Sequence, residues 1–161
     1  MAASLSLRVY TGAGQTESSA VTGIDMISAD NASNSLANRQ ANPITVGTNS
    51  YEKWVALKID TAPANNVDNF QIWMDGTVDT STTLNFTTNY ITYATPVATA
   101  STVGDTDMTS YTSGNKVAWD AGPYTNTNDT TRFTVFQLVV DSDAGPGNWT
   151  QETISYSYDE T

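Results

Sequence analysis

Asp141-Ser-Asp143-Ala-Gly145 opens like a calcium-binding loop, with two acids and then a glycine to turn the chain. Such a loop needs a bidentate carboxylate further on, and Glu152 stands seven residues past the glycine. Helices flank that motif where it binds calcium, whereas the runs on both sides of it here have strand character. Asp and Gly are also ordinary turn residues. Asp141 and Asp143 are therefore either calcium ligands or turn residues; the strand flanks favour the turn, and no metal or cofactor is expected. Asp105 and Asp107 form a second, looser pair of the same kind.

Other chemistry finds less material. The chain has no histidine and no cysteine, which removes Ser–His and Cys–His nucleophile pairs. A Ser–Lys pair would have to bury Lys53, Lys58 or Lys116 beside a serine, and no pattern marks such a place. Two acids could flank a glycosidic bond. The four glutamates Glu17, Glu52, Glu152 and Glu160 are scattered, and the aspartates fall mostly in loop-like stretches. No catalytic residue is assigned, and the chain is expected not to be an enzyme.

The tryptophans hold more information. Trp54 and Trp73 each fall on the polar side of an alternating run, and they are the candidate interaction residues. An exposed pair would make an aromatic platform for a sugar ring or a protein partner. The alternative is that a loop or a second sheet covers both rings. Trp119 is expected in the core and Trp149 at a loop tip.

Charge narrows the partners. Seventeen acids against six bases give a net charge of −11. Affinity for nucleic acid and for anionic membranes comes from Lys and Arg, so neither is an expected partner. The chain opens with no basic stretch followed by an apolar one, so no secretory leader is expected. No apolar run approaches the roughly 20 residues of a membrane-spanning helix.

The elements that would position these residues are strands. Leu5, Leu7 and Val9 alternate with polar neighbours, as do Val55, Leu57 and Ile59, and Phe70, Ile72 and Met74. Phe133–Val140 is apolar on both sides, which predicts a central strand buried on both faces. Shorter strands are expected at 24–27, 43–46, 84–86, 90–93 and 116–119. Residues 36–40 could make one short turn, and 96–113 reads as a long excursion. Two hairpins are predicted. One pairs Val55 with Ile72, Leu57 with Phe70 and Trp54 with Trp73. The other closes across Ala144-Gly-Pro-Gly-Asn148 and pairs Leu138 with Ile154, Phe136 with Tyr156 and Thr134 with Tyr158. Each register puts its apolar residues on one face. The expected fold is all-β: one antiparallel β-sandwich over 1–161, immunoglobulin-like or jelly-roll, with eight or nine short strands, long loops and little helix.

Three segments carry a resemblance. Ser50-Tyr-Glu-Lys-Trp-Val-Ala-Leu-Lys-Ile59, Val67-Asp-Asn-Phe-Gln-Ile-Trp73 and the closing stretch from Gln137 through Gln151-Glu-Thr-Ile-Ser-Tyr-Ser-Tyr-Asp-Glu160 resemble small all-β structural proteins of tailed bacteriophages and related viruses. The closing stretch is also similar to the last strands of immunoglobulin-like surface modules. The resemblance implies a virion structural protein, made in the host cytoplasm and located in the virion. The implied types are a capsid decoration (cement) protein and a minor head or tail component. The major capsid protein or another virion protein would be its partner, and it would assemble with itself, a trimer being the suspected state. The alternative is a carbohydrate- or receptor-binding β-sandwich module of a tail fibre or surface protein, with Trp54 and Trp73 as its platform.

Overall fold

Leu5, Leu7 and Val9 face inward from β1, Ser4–Thr11, and their alternation is what makes this segment a half-buried strand. The computed structural model describes residues 2–98, 103–145 and 151–161. After β1 come β2, Thr16–Glu17, and one short helix, α1, Leu36–Ala41. Ser35 caps that helix by accepting from Asn38 N at 3.1 Å. The remaining strands are β3, Lys53–Thr61; β4, Val67–Asp75; β5, Thr82–Tyr90; β6, Val117–Asp120; β7, Phe133–Val140; and β8, Thr153–Glu160.

They form two antiparallel sheets, one ordered β2-β1-β3-β7-β5 and the other β6-β4-β8. The all-β, eight-stranded sandwich is as the sequence predicts. Between the sheets lies one apolar layer. Val55, Leu57 and Ile59 of β3 and Phe136 and Leu138 of β7 meet Phe70, Ile72 and Met74 of β4, with Trp119 of β6. These side chains are almost wholly removed from water, and each contributes about 1.5–3 kcal/mol of transfer free energy.

Neither predicted hairpin forms. β3 pairs with β1 and β7, whereas β4 pairs with β6 and β8. Val55 lies opposite Val9 and Thr134, and Ile72 lies opposite Val117 and Tyr156. The closing hairpin fails in the same way. β7 lies between β3 and β5, with Leu138 opposite Leu84 and Phe136 opposite Phe86, and β8 joins the other sheet. From β3 onward every connection crosses from one sheet to the other. The apolar faces that suggested side-by-side pairing do share one core, but they face each other across it.

Smaller differences follow the same logic. Residues 24–27 and 43–46 form no strand, although Ile27 is buried. The two short strands expected at 84–86 and 90–93 are one nine-residue strand, β5. The expected strand at 116–119 is β6, and the turn expected at 36–40 is α1. The excursion at 96–113 contains a single 3-10 turn, Met108–Ser110, whose Met108 is buried.

Candidate functional site

Trp54 and Trp73 do not share a face. Trp54 sits on the outer side of the five-stranded sheet, opposite Val135 of β7, and is 1% exposed. Its indole packs against Tyr90, Tyr93 and Phe133 at centroid distances of 5.2, 5.2 and 5.7 Å. The segment following β5 covers it. Tyr93 Oη donates to Gly12 O at 2.8 Å, and Glu52 N donates to Val97 O at 3.0 Å. Trp54 is thus a second-layer core residue, and the two-tryptophan platform does not exist.

Trp73 is half-buried on the outer face of the three-stranded sheet. Its Nε1 donates to Asp75 Oδ2 at 2.7 Å. The Lys116 ammonium stands 4.3 Å from the ring centroid, a cation–π contact, and reaches Ser157 Oγ at 3.5 Å. Gln71 and Ser155 flank it at the same outward parity, Ser155 directly opposite. The surface is flat and polar, with one indole whose face is already occupied by a cation.

A cleft of about 300 Å³ opens at the rim where β5 approaches β6. Two irregularities shape it. β4 bulges near Asn69 and β5 near Asn89, and both asparagines take left-handed backbone angles, φ 51° and φ 70°. Arg132 Nη1 donates to Asn89 Oδ1 at 2.7 Å, and Asn69 Nδ2 donates to Asp159 Oδ2 at 2.8 Å. The buried Asp120 carboxylate at the cleft wall accepts from Gly122 N at 3.1 Å and from Tyr124 Oη and Arg132 N at 2.6 Å each. Burial, and then the hydrogen bond to Asp120, push the Tyr124 phenol well above its ordinary range. With three donors on it, Asp120 is a fixed anion that anchors the chain around Gly122. The bulge in β4 has a sequence signal: Val67 and Phe70 both face inward although three residues apart, so the alternation must slip between them.

The other buried charges are similarly committed. Lys53 is 2% exposed and donates from Nζ to Ala29 O at 3.0 Å and Asn31 O at 2.9 Å. Burial pushes it down to about 8, against the pull of Asp30 and Asp25. Glu52, fully buried, accepts from Trp54 Nε1 at 3.2 Å. Asp25 accepts from Arg39 Nη1 at 2.7 Å and from Ser35 N at 3.0 Å.

Among the described residues no group of three or more acids converges as a metal site. Asp141 and Asp143 are exposed, and the Asp141 carbonyl closes a turn by accepting from Ala144 N at 3.2 Å. Glu152 lies beside Gly76. Trp149 and most of the Gly-Pro-Gly turn lie outside the described residues. No family model, no curated protein and no solved structure matches the chain.

Proposed function

We propose that this chain is a non-enzymatic virion structural protein, of the capsid decoration (cement) type, that binds and stabilises an assembled major capsid lattice. The observation that carries the non-enzymatic part is the state of the buried charges. Lys53, Glu52, Asp25 and Asp120 are each engaged by groups of the fold itself. A general acid or base has to keep a position facing substrate. The virion part is supported by the three-segment resemblance and by a net charge of −11, which keeps the protein away from a packaged genome. Decoration works by mass action: a protein that binds only the assembled shell stabilises that shell.

The carbohydrate alternative has one observation in its favour, the half-buried Trp73 beside Asp75. Lys116 over the ring weakens it, because a sugar would have to displace the ammonium before stacking. The test is co-sedimentation of purified protein with capsids of the virus that encodes it, beside a glycan array. Saturable capsid binding with a silent array is the expected result. Glycan binding abolished by Trp73→Ala, without capsid affinity, would replace decoration with the carbohydrate reading.

A further inference from the structure

The three-stranded sheet is one strand short on one side. β5 stands over β6, where Thr88 Oγ1 donates to Ala118 O at 2.9 Å. β8 stands beneath β1, where Ala3 N donates to Glu160 Oε1 at 2.9 Å. The larger sheet therefore overhangs on the β8 side. The overhang shows in burial: Leu57 and Ile59 of β3 are 0% exposed, while Leu7 and Leu5, paired beside them on β1, are only half-buried. Asp30 on Gly12 N, and Met26 nearby on the core, close the far end of the space. Its open part lies beneath Leu5 and Leu7. Tyr156 borders it with the inward parity of Ile154 and Tyr158, yet is 38% exposed.

The edge of β8 that faces this space is bare. Among the described residues, no backbone group pairs with residues 153–160 on the side away from β4. The other edges are treated differently. β2 has two residues and β6 four, and β5 is bridged from Asn85 to Asp107, with Phe86 N donating to Thr106 O at 3.0 Å. Proteins blunt exposed edges with short strands, lysine, proline or a covering loop. The β8 run Thr-Ile-Ser-Tyr-Ser has none of these and no charge.

We infer that β8 accepts one added β-strand, an extended segment of a partner protein, which completes the small sheet and covers the β1 leucines. A second copy of this chain does not fit. Edge-to-edge pairing of β8 with its own copy would bring two overhanging β1–β2 ribbons onto the same space. A lone extended segment has no overhang. Its inward residues are apolar at alternate positions, to meet Leu5, Leu7 and Tyr156. At the end beside Asp159 and Glu160 it is basic. If it runs antiparallel to β8, that is its N-terminal end.

The probe is a blocked synthetic peptide, Lys-Lys-Val-Thr-Val-Thr-Val-Thr, with a Glu-Glu-first control, each at millimolar concentration with the full chain. Hydrogen exchange followed by NMR should show the β8 amides that face away from β4 slowing at least tenfold. The Lys-first peptide should bind about tenfold tighter at low salt, and the difference should shrink in 0.5 M salt. Tyr156→Lys should abolish the protection while the urea midpoint stays within the folded range. Should that variant not fold, Leu5→Asn tests the same space from the opposite sheet. Unchanged β8 exchange overturns the inference, as does protection centred on Trp73. A β8-paired dimer in sedimentation overturns the choice of occupant. None of these outcomes depends on whether the partner is a capsid.

Discussion

Lys53 gives the sharpest test of how this fold handles charge. Its ammonium is 2% exposed, and burial lowers its pKa from 10.5 to about 8. The unfolded chain keeps that proton up to about 10.4. Between these values the unfolded state binds more protons than the folded one, so Lys53 makes stability rise with pH in that window and adds no slope below it. At 1.36 kcal/mol per pH unit, the rise from pH 7 to pH 10 is about 2.5 kcal/mol, and about half of it arrives by pH 9. Lys53→Met removes this slope. At pH 7 the substitution trades a costly buried charge against two hydrogen bonds, to Ala29 O and Asn31 O, each worth about 1.5–3 kcal/mol when the donor is charged. The net change at pH 7 is then small. By pH 10 the wild type gains on the variant by about 2.5 kcal/mol. Tyr10 and Tyr93, pushed up to about 12 by burial, lose stability at high pH in both proteins and cancel in the comparison. Urea unfolding of both proteins at pH 7, 8, 9 and 10 measures it. A stability difference independent of pH would refute a depressed Lys53, and with it the claim that this ammonium is held dry by carbonyls.

Other substitutions separate core from surface. Trp54→Ala should cost about 3–5 kcal/mol by urea unfolding, since it empties the layer formed with Tyr90, Tyr93 and Phe133. Trp73→Ala should cost about 1 kcal/mol, because it removes a half-buried ring and one exposed cation–π contact. Asp120→Asn should cost about 3 kcal/mol, because an amide cannot accept from Gly122 N, Tyr124 Oη and Arg132 N as a carboxylate does; ultraviolet titration should find the Tyr124 phenol lowered toward its ordinary range, though still held up by burial. Deleting 155–161 should abolish folding, because β8 pairs with most of β4 and its Tyr158 packs on Phe70 at 5.8 Å; a soluble, cooperatively unfolding truncation would refute the two-layer core.

Strand positions were legible because alternation is a local property. Each of β1, β3, β4 and β7 lies where its apolar period places it. Pairing was not legible, and the reason is geometric. A hairpin sets two inward faces side by side, and an arch sets them face to face across the core. In both, Val55, Leu57 and Ile59 share an apolar layer with Phe70, Ile72 and Met74. Agreement of faces therefore excludes a one-residue slip and leaves the neighbour undecided. A two-residue Asn-Gly turn would have decided it, since that turn fits only a hairpin. The 62–66 connection is longer and carries Pro63, so it allows either path.

The burial of Trp54 follows from two features that can be read only together. Phe133–Val140 is apolar on both sides, so whatever sheet contains it is covered on both faces. Trp54 lies opposite Val135 in that sheet, on the same outer side. Once β3 neighbours β7, the cover over Val135 has to extend over Trp54. The sequence supplied the first fact, and the pairing that would have supplied the second is long-range, between positions some eighty residues apart. The same reasoning directs attention to β8. A sheet flanked on both faces needs no partner there. A three-stranded sheet beneath five strands leaves an edge bare and leucines half covered. In this molecule the place where the fold is incomplete, rather than where aromatic rings are conspicuous in sequence, is where a second protein has most to gain by binding.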